Sequence, residues 1–122
     1  MSPPEPHFPA RFAPGGFEED RAASTDAGRA AAKAARTNYE RAGIRRSHLR
    51  PCDIEGRDGT RLPDCYKVRV PHPNGRWGMV FKAQVIAGRP RMDFVAFGVR
   101  HHPAESHALS VYEVASRRCS IS

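Results

Sequence analysis

Cys65-Tyr-Lys-Val-Arg-Val70 is the stretch on which the fold of this chain turns. Its residues alternate in character. Tyr66, Val68 and Val70 fall on one face of an extended strand, and Cys65, Lys67 and Arg69 on the other. The next residues, His72-Pro-Asn-Gly75, read as a turn, because Asn-Gly tolerates the positive φ of tight turns. Trp77 to Ile86 then reads as a second strand, with Trp77, Met79, Phe81, Ala83 and Val85 on one face and Gly78, Val80, Lys82, Gln84 and Ile86 on the other. Ala87-Gly-Arg-Pro90 is a further turn. Met92 to Val99 is apolar on both faces, so a third strand there should be central or covered. Three consecutive antiparallel strands are expected, at 65–71, 77–86 and 92–99.

Outward from this hairpin pair the period lengthens. Pro103 to Ser106 reads as a loop, and Leu109 to Arg118 as a short helix with Val111, Val114 and Ala115 apolar and Tyr112 on an adjoining face. Upstream, Pro51 to Pro63 reads as a loop. A helix should begin at Thr25 or Asp26, either of which can accept a free N–H of the first turn, and stop at Gly43. Ala27, Ala30, Ala31, Ala34, Ala35, Tyr39 and Ala42 form its apolar stripe. Alanine offers little area to bury, so this helix should pack closely but weakly. Residues 1–24 hold Pro3, Pro4, Pro6, Pro9 and Pro14, the pair Gly15-Gly16, and only Phe8, Phe12 and Phe17 as large apolar groups. They read as a mostly disordered arm, with a short edge strand at His7 to Phe12 as the alternative. The expectation is an α+β fold in which a helix or helices precede a three- to four-stranded antiparallel sheet and a short C-terminal helix. The domain should occupy 25–122, with its core mostly after Cys65.

A chain of 122 residues suits one domain. Its formal charge of +7 favours polyanions, chiefly nucleic acid, and would also suit an acidic protein or an anionic membrane. No apolar run approaches the roughly 20 residues of a spanning helix. Met1-Ser-Pro-Pro-Glu-Pro6 lacks the regions of a signal peptide, so a cytoplasmic location without membrane partners is expected. Between Arg29 and Arg50 seven basic residues stand against Glu40 alone, either a solvated face or a phosphate-contacting patch that includes Arg45 and Arg46. Cys52, Cys65 and Cys119 are odd in number and widely spaced, which argues against a disulfide framework. His48, Cys52 and Cys65 lack the tight paired spacing of a closed zinc site. Neither metal nor cofactor is expected.

Four blocks in order resemble the RelE-type toxins of toxin–antitoxin pairs: Leu62-Pro-Asp-Cys-Tyr-Lys-Val-Arg-Val70, Trp77-Gly-Met-Val-Phe-Lys82, Val95-Ala-Phe-Gly-Val-Arg100 and Ser110-Val-Tyr-Glu-Val-Ala-Ser-Arg-Arg118. They span about half of the chain. The resemblance implies a RelE-like fold and a ribosome-dependent, metal-independent endoribonuclease acting on messenger RNA, held silent by a cognate antitoxin. In such cleavage the ribose 2′-OH attacks the adjacent phosphate and leaves a 2′,3′-cyclic phosphate. The reaction needs proton transfer and cations where charge collects. A lysine among other cations can act as base, since like charges favour its neutral form. Lys67 and Arg69 match the family's basic strand positions, Arg100 its catalytic arginine and Tyr112 its C-terminal tyrosine. Read without the resemblance, Lys67 and Arg69 would be ordinary strand residues and Tyr112 a helix residue packing on the sheet. His101 and His102 flank Arg100 as possible acid–base groups.

One family position departs: the strand arginine falls on Gly78, for which Arg76 or Lys82 can substitute in space. Restoring it, Gly78→Arg, is expected to keep or raise activity. The alternatives are a RelE fold that binds RNA or protein without cutting, a ParE-like gyrase inhibitor, and a basic structural protein.

Overall fold

The computed structural model describes residues 5–52, 64–71, 75–100 and 108–120. The loop from 53 to Pro63, the turn residues His72 to Asn74, His101, His102 and the loop Pro103 to Ser106 lie outside the described residues.

The fold is α+β. Its strands are β1 (His7–Phe8), β2 (Ala10–Arg11), β3 (Ile44–Arg45), β4 (Arg50–Pro51), β5 (Cys65–Arg69), β6 (Trp77–Ile86) and β7 (Arg89–Val99). Its helices among the described residues are α1 (Gly16–Ala22), α2 (Asp26–Ala42) and α3 (Val111–Ser120), with a 3-10 turn at Arg46–His48. The three long strands pair antiparallel in sequence order, with Lys67 opposite Val80 and Trp77 opposite Val99. The sheet, however, has five strands in the order β2-β7-β6-β5-β4, and β1 and β3 form a separate pair. The expected three- to four-stranded antiparallel sheet is thus enlarged at both edges. One addition, β2, runs parallel to β7. Both additions are only two residues long, too short to imprint a period on the sequence.

Local chemistry sets the element ends. The Thr25 hydroxyl accepts the Gly28 N–H at 3.1 Å at the start of α2, and Gly43 ends it at φ 75°. Ser110 and Glu113 cap α3 reciprocally: the Glu113 N–H donates to the Ser110 hydroxyl and the Ser110 N–H to the Glu113 carboxylate, each at 3.2 Å. The turn between β6 and β7 is tighter than expected. Ala87 at φ 53° and Gly88 at φ 78° both adopt positive φ, so Arg89 already pairs with Ile86. Between Val80 and Phe81 the register slips: Val80 faces Ala96 but Phe81 faces Phe94. The extra residue, Val95, bulges toward the other face.

The two sheet faces carry two cores. On one, Trp77, Met79 and Phe81 meet α1 and α2; on the other, Val80 and Ala96 meet Val111 and Ala115 of α3. The α2 stripe is rotated from the expected one. Gly28, Ala32, Ala35 and Tyr39 are its buried residues, while Ala27, Ala30, Ala34 and Ala42 are exposed. Gly28 explains the rotation, since a Cβ there would sit 3.1 Å from the Trp77 ring. The helix therefore approaches the sheet along its smallest side chain.

The largest difference concerns residues 5–24, expected as a mostly disordered arm. They form β1, β2 and α1, and their Phe12 and Phe17 are buried. Phe12 stacks on Phe94 at 5.2 Å and meets Phe17 edge-on at 5.4 Å. The Arg36 guanidinium covers both rings, at 5.1 and 4.8 Å from their centroids, while it pairs with Glu18 and Glu40. A buried Phe contributes about 1.5–3 kcal/mol, so the two rings are the main apolar anchors of the segment. The proline-interrupted arm packs because two rings find a ready aromatic surface.

α1 is tied to α3 across the free edge of β7. The Asp20 carboxylate accepts the Phe97 N–H at 2.8 Å and two Arg118 N–H groups at 2.8 and 2.5 Å. Arg118 also donates to the Val95 carbonyl at 2.6 Å. The bond to Asp20 raises the Arg118 pKa above its usual value, against the opposing effect of burial. Asp20→Ala removes a partner from a charged group and a strand N–H together. It should lower stability by about 1.5–3 kcal/mol. Adding Arg118→Ala should cost less than the sum of the two single changes. Urea unfolding of the single and double variants checks this; additive losses would mean that the pair is not coupled.

Candidate functional site

Three rows of side chains cross the α3 face of the sheet. Arg69 lies opposite Gly78, and Gly78 opposite Gly98. In the next row Arg50 lies opposite Lys67, Lys67 opposite Val80, and Val80 opposite Ala96. In the third, Cys65 lies opposite Lys82. Like charges placed directly across a ladder repel, so Arg50 and Lys67 are held together by the fold against their own electrostatics.

A cleft of about 540 Å³ opens beside these rows. Lys67, Arg69, Arg100 and Tyr112 line it together with Arg50, Ser47, His48 and Tyr39. It curls round the edge of β5, because β4 covers only Tyr66 and Lys67. Among its described lining residues there is no carboxylate, and none of Arg50, Lys67, Arg69 and Arg100 is in an ion pair among the described residues. Elsewhere five arginines are matched: Arg29 with Asp26, Arg36 with Glu18 and Glu40, Arg45 with Glu5, Arg91 with Asp93, Arg118 with Asp20.

Each wall has its own anchor. The capped start of α3 places the Tyr112 ring 5.4 Å from the Lys67 amine, a cation–π contact. Gly98 lies under that start; a Cβ there would stand 3.7 Å from the Val111 Cβ, an ordinary contact. The 3-10 turn bearing His48 is held by Glu5, whose carboxylate accepts the Ser47 N–H at 2.5 Å. Hydrogen bonding from Ser47, aided by Arg45, keeps the Glu5 carboxyl below its usual pKa. Burial pushes the Tyr39 phenol up to about 12, so it stays neutral.

Gly78 has a specific neighbour. A Cβ built on it would lie 3.0 Å from Arg100 Cγ and 3.4 Å from Arg100 Cδ. The Arg100 stem thus crosses the bare strand at Gly78, and its guanidinium donates to the Gly75 carbonyl at 3.1 Å. A side chain at 78, as in Gly78→Arg, would press on the Arg100 stem, which would have to give by a few tenths of an ångström.

The other candidates from sequence scatter. Arg45 pairs with Glu5, and Arg45 and Arg46 are exposed beside the cleft without lining it. Arg76 is exposed, and its carbonyl accepts the Arg100 N–H at 3.0 Å. Lys82 lines a separate hollow with Arg118 and Cys119. Neither Arg76 nor Lys82 lines the cleft. Arg50, His48 and Tyr39 do, although none was singled out as a site residue. Arg50 carried a faint signal as the last member of the basic run; His48 and Tyr39 carried none, since only the chain's return past β5 brings them there.

Compared with models of protein families, with curated proteins and with solved structures, the chain matches none.

Chemically, the cleft offers four cations for phosphate oxygens. It also offers three groups able to exchange a proton, Lys67, Tyr112 and His48; arginine cannot. Arg100→Ala removes one of these four cations. Binding of a single-stranded oligonucleotide should then lose about one phosphate contact, a fall of about 0.7 in the slope of log K against log salt. Fluorescence anisotropy at several salt concentrations reads this. An unchanged slope would mean that Arg100 does not reach the bound phosphate.

Proposed function

We propose that this chain is a RelE-type toxin, a ribosome-dependent endoribonuclease that cuts messenger RNA and is neutralised by a cognate antitoxin. The observation that carries the reading is the convergence of Lys67, Arg69, Arg100 and Tyr112 on one cleft that no described carboxylate lines. The four come from three of the blocks that resemble the RelE-type toxins. The basic overall charge and the absence of any described helix long and apolar enough to cross a membrane fit an RNA-directed role.

In this mechanism the RNA backbone enters along the edge of β5. Arg50 and Arg69 hold flanking phosphates. Arg100 faces the scissile phosphate and stabilises the charge that builds on its oxygens as the 2′-OH attacks. Its bond to Gly75 and its seat over Gly78 fix the guanidinium before substrate arrives, so little reorganisation accompanies the reaction. Lys67 and Tyr112, in contact, exchange protons: one takes that of the 2′-OH and the other supplies the 5′ leaving oxygen. The products are a 2′,3′-cyclic phosphate and a free 5′-OH.

Arg100→Ala and Tyr112→Phe should each lose about 10²–10⁴-fold in cleavage rate, the usual contribution of such groups, with folding and ribosome binding largely retained. Single-turnover cleavage of a messenger RNA programmed in the ribosomal A site measures this, with circular dichroism as the folding control. Cleavage indifferent to both substitutions would sink the assignment; tight RNA binding without cleavage by the wild type would favour a non-catalytic RNA-binding module.

Affinity for ribosomes should also fall steeply with salt, because each neutralised phosphate releases counterions. A flat salt dependence would indicate apolar protein contacts instead.

A further inference from the structure

The second core holds a feature that the cleft chemistry does not use. Cys52 and Cys65 are buried in it, and Cys119 packs at its rim. The Cys52 N–H donates to the Cys65 carbonyl at 2.9 Å, so these two residues face each other across β4 and β5. Cys119 comes from α3, and its approach follows from a contact already described. Lys67 and Cys65 share one face of β5, two residues apart, and Lys67 touches Tyr112. Cys119 lies about two turns beyond Tyr112 on the same face of α3. The two elements that bring Lys67 to Tyr112 therefore also bring Cys65 to Cys119.

We propose that Cys65 and Cys119 are an oxidation site, at which a peroxide joins β5 to α3 through a disulfide bond. Access favours Cys119 as the first thiol to react. It lines a hollow of about 310 Å³, beside Lys82 and Arg118. Lys82 stands opposite Cys65 in the strand register. The thiolate is the nucleophile in such a step. Cys65 is the resolving partner. Burial pushes its thiol up to about 12, helped by the nearby Cys119, which is hydrogen-bonded to it, and by Cys52. It does not ionise alone and reacts only with an activated sulfur beside it.

The steps balance. The Cys119 thiolate attacks one peroxide oxygen; the S–O bond forms, the O–O bond breaks, and hydroxide leaves and takes a proton. The Cys65 sulfur then attacks the Cys119 sulfenic acid. The S–S bond forms, the S–O bond breaks, and the Cys65 proton departs with the leaving hydroxide as water. Two thiols and one hydrogen peroxide give one disulfide and two waters.

The test treats the full-length protein with hydrogen peroxide and follows thiols and mass. Titratable thiols should drop from three to one, with the loss of two hydrogens. Peptide mapping should find a link between Cys65 and Cys119 that dithiothreitol reverses. Cys52→Ser should leave the link intact and Cys119→Ser should abolish it. Cys65→Ser should leave a sulfenic acid on Cys119 that dimedone captures. A Cys52–Cys65 link, a dimer joined through Cys119, or retention of all thiols with circular dichroism unchanged would each overturn the proposal.

Discussion

The Asp20–Arg118 pair is the constraint on which the rest of this structure depends. A strand that ends a sheet leaves N–H and C=O groups without partners. β2 covers β7 only at Met92 and Asp93, so the stretch beyond them is open. Asp20 takes the Phe97 N–H, and Arg118 takes the Val95 carbonyl and both Asp20 oxygens. One bidentate pair thus closes the edge, docks α1 and sets the angle of α3. The Asp20 side chain is only 9% exposed, so neither ion could stay there without the other. The cleft inherits this geometry, because α3 carries Tyr112 to Lys67.

Charge is sorted by the same packing. The composition states an excess of cations but not where the excess falls. Folding pairs Arg29, Arg36, Arg45, Arg91 and Arg118 with carboxylates and gathers Arg50, Lys67, Arg69 and Arg100 on a cleft that no described carboxylate lines. The cationic cleft comes from where the strands and β4 place these four residues. Small residues complete the arrangement. Gly78 and Gly98, opposite one another, make a bare patch on which the Arg100 stem and the start of α3 both rest.

What the sequence determined by itself is local. Alternation in Cys65–Val70, the two-residue period of Trp77–Ile86 and the apolar run Met92–Val99 between turn residues placed the three long strands, and Thr25 and Gly43 placed the ends of α2, because period and cap chemistry act over a few residues. The shared face of Lys67 and Arg69 was legible for the same reason. Tertiary structure decided what depends on residues distant in the chain. Phe12 and Phe17 look unanchored among prolines until Phe94 and Arg36 supply a surface. The rotation of α2 follows from the Trp77 ring, which a helical-stripe reading cannot see. The contact of Gly78 with the Arg100 stem joins residues 22 positions apart and leaves no mark on the sequence. Burial, edge closure and ion pairing act through space, and in this chain they join residues from opposite ends, so only the folded molecule could assign them.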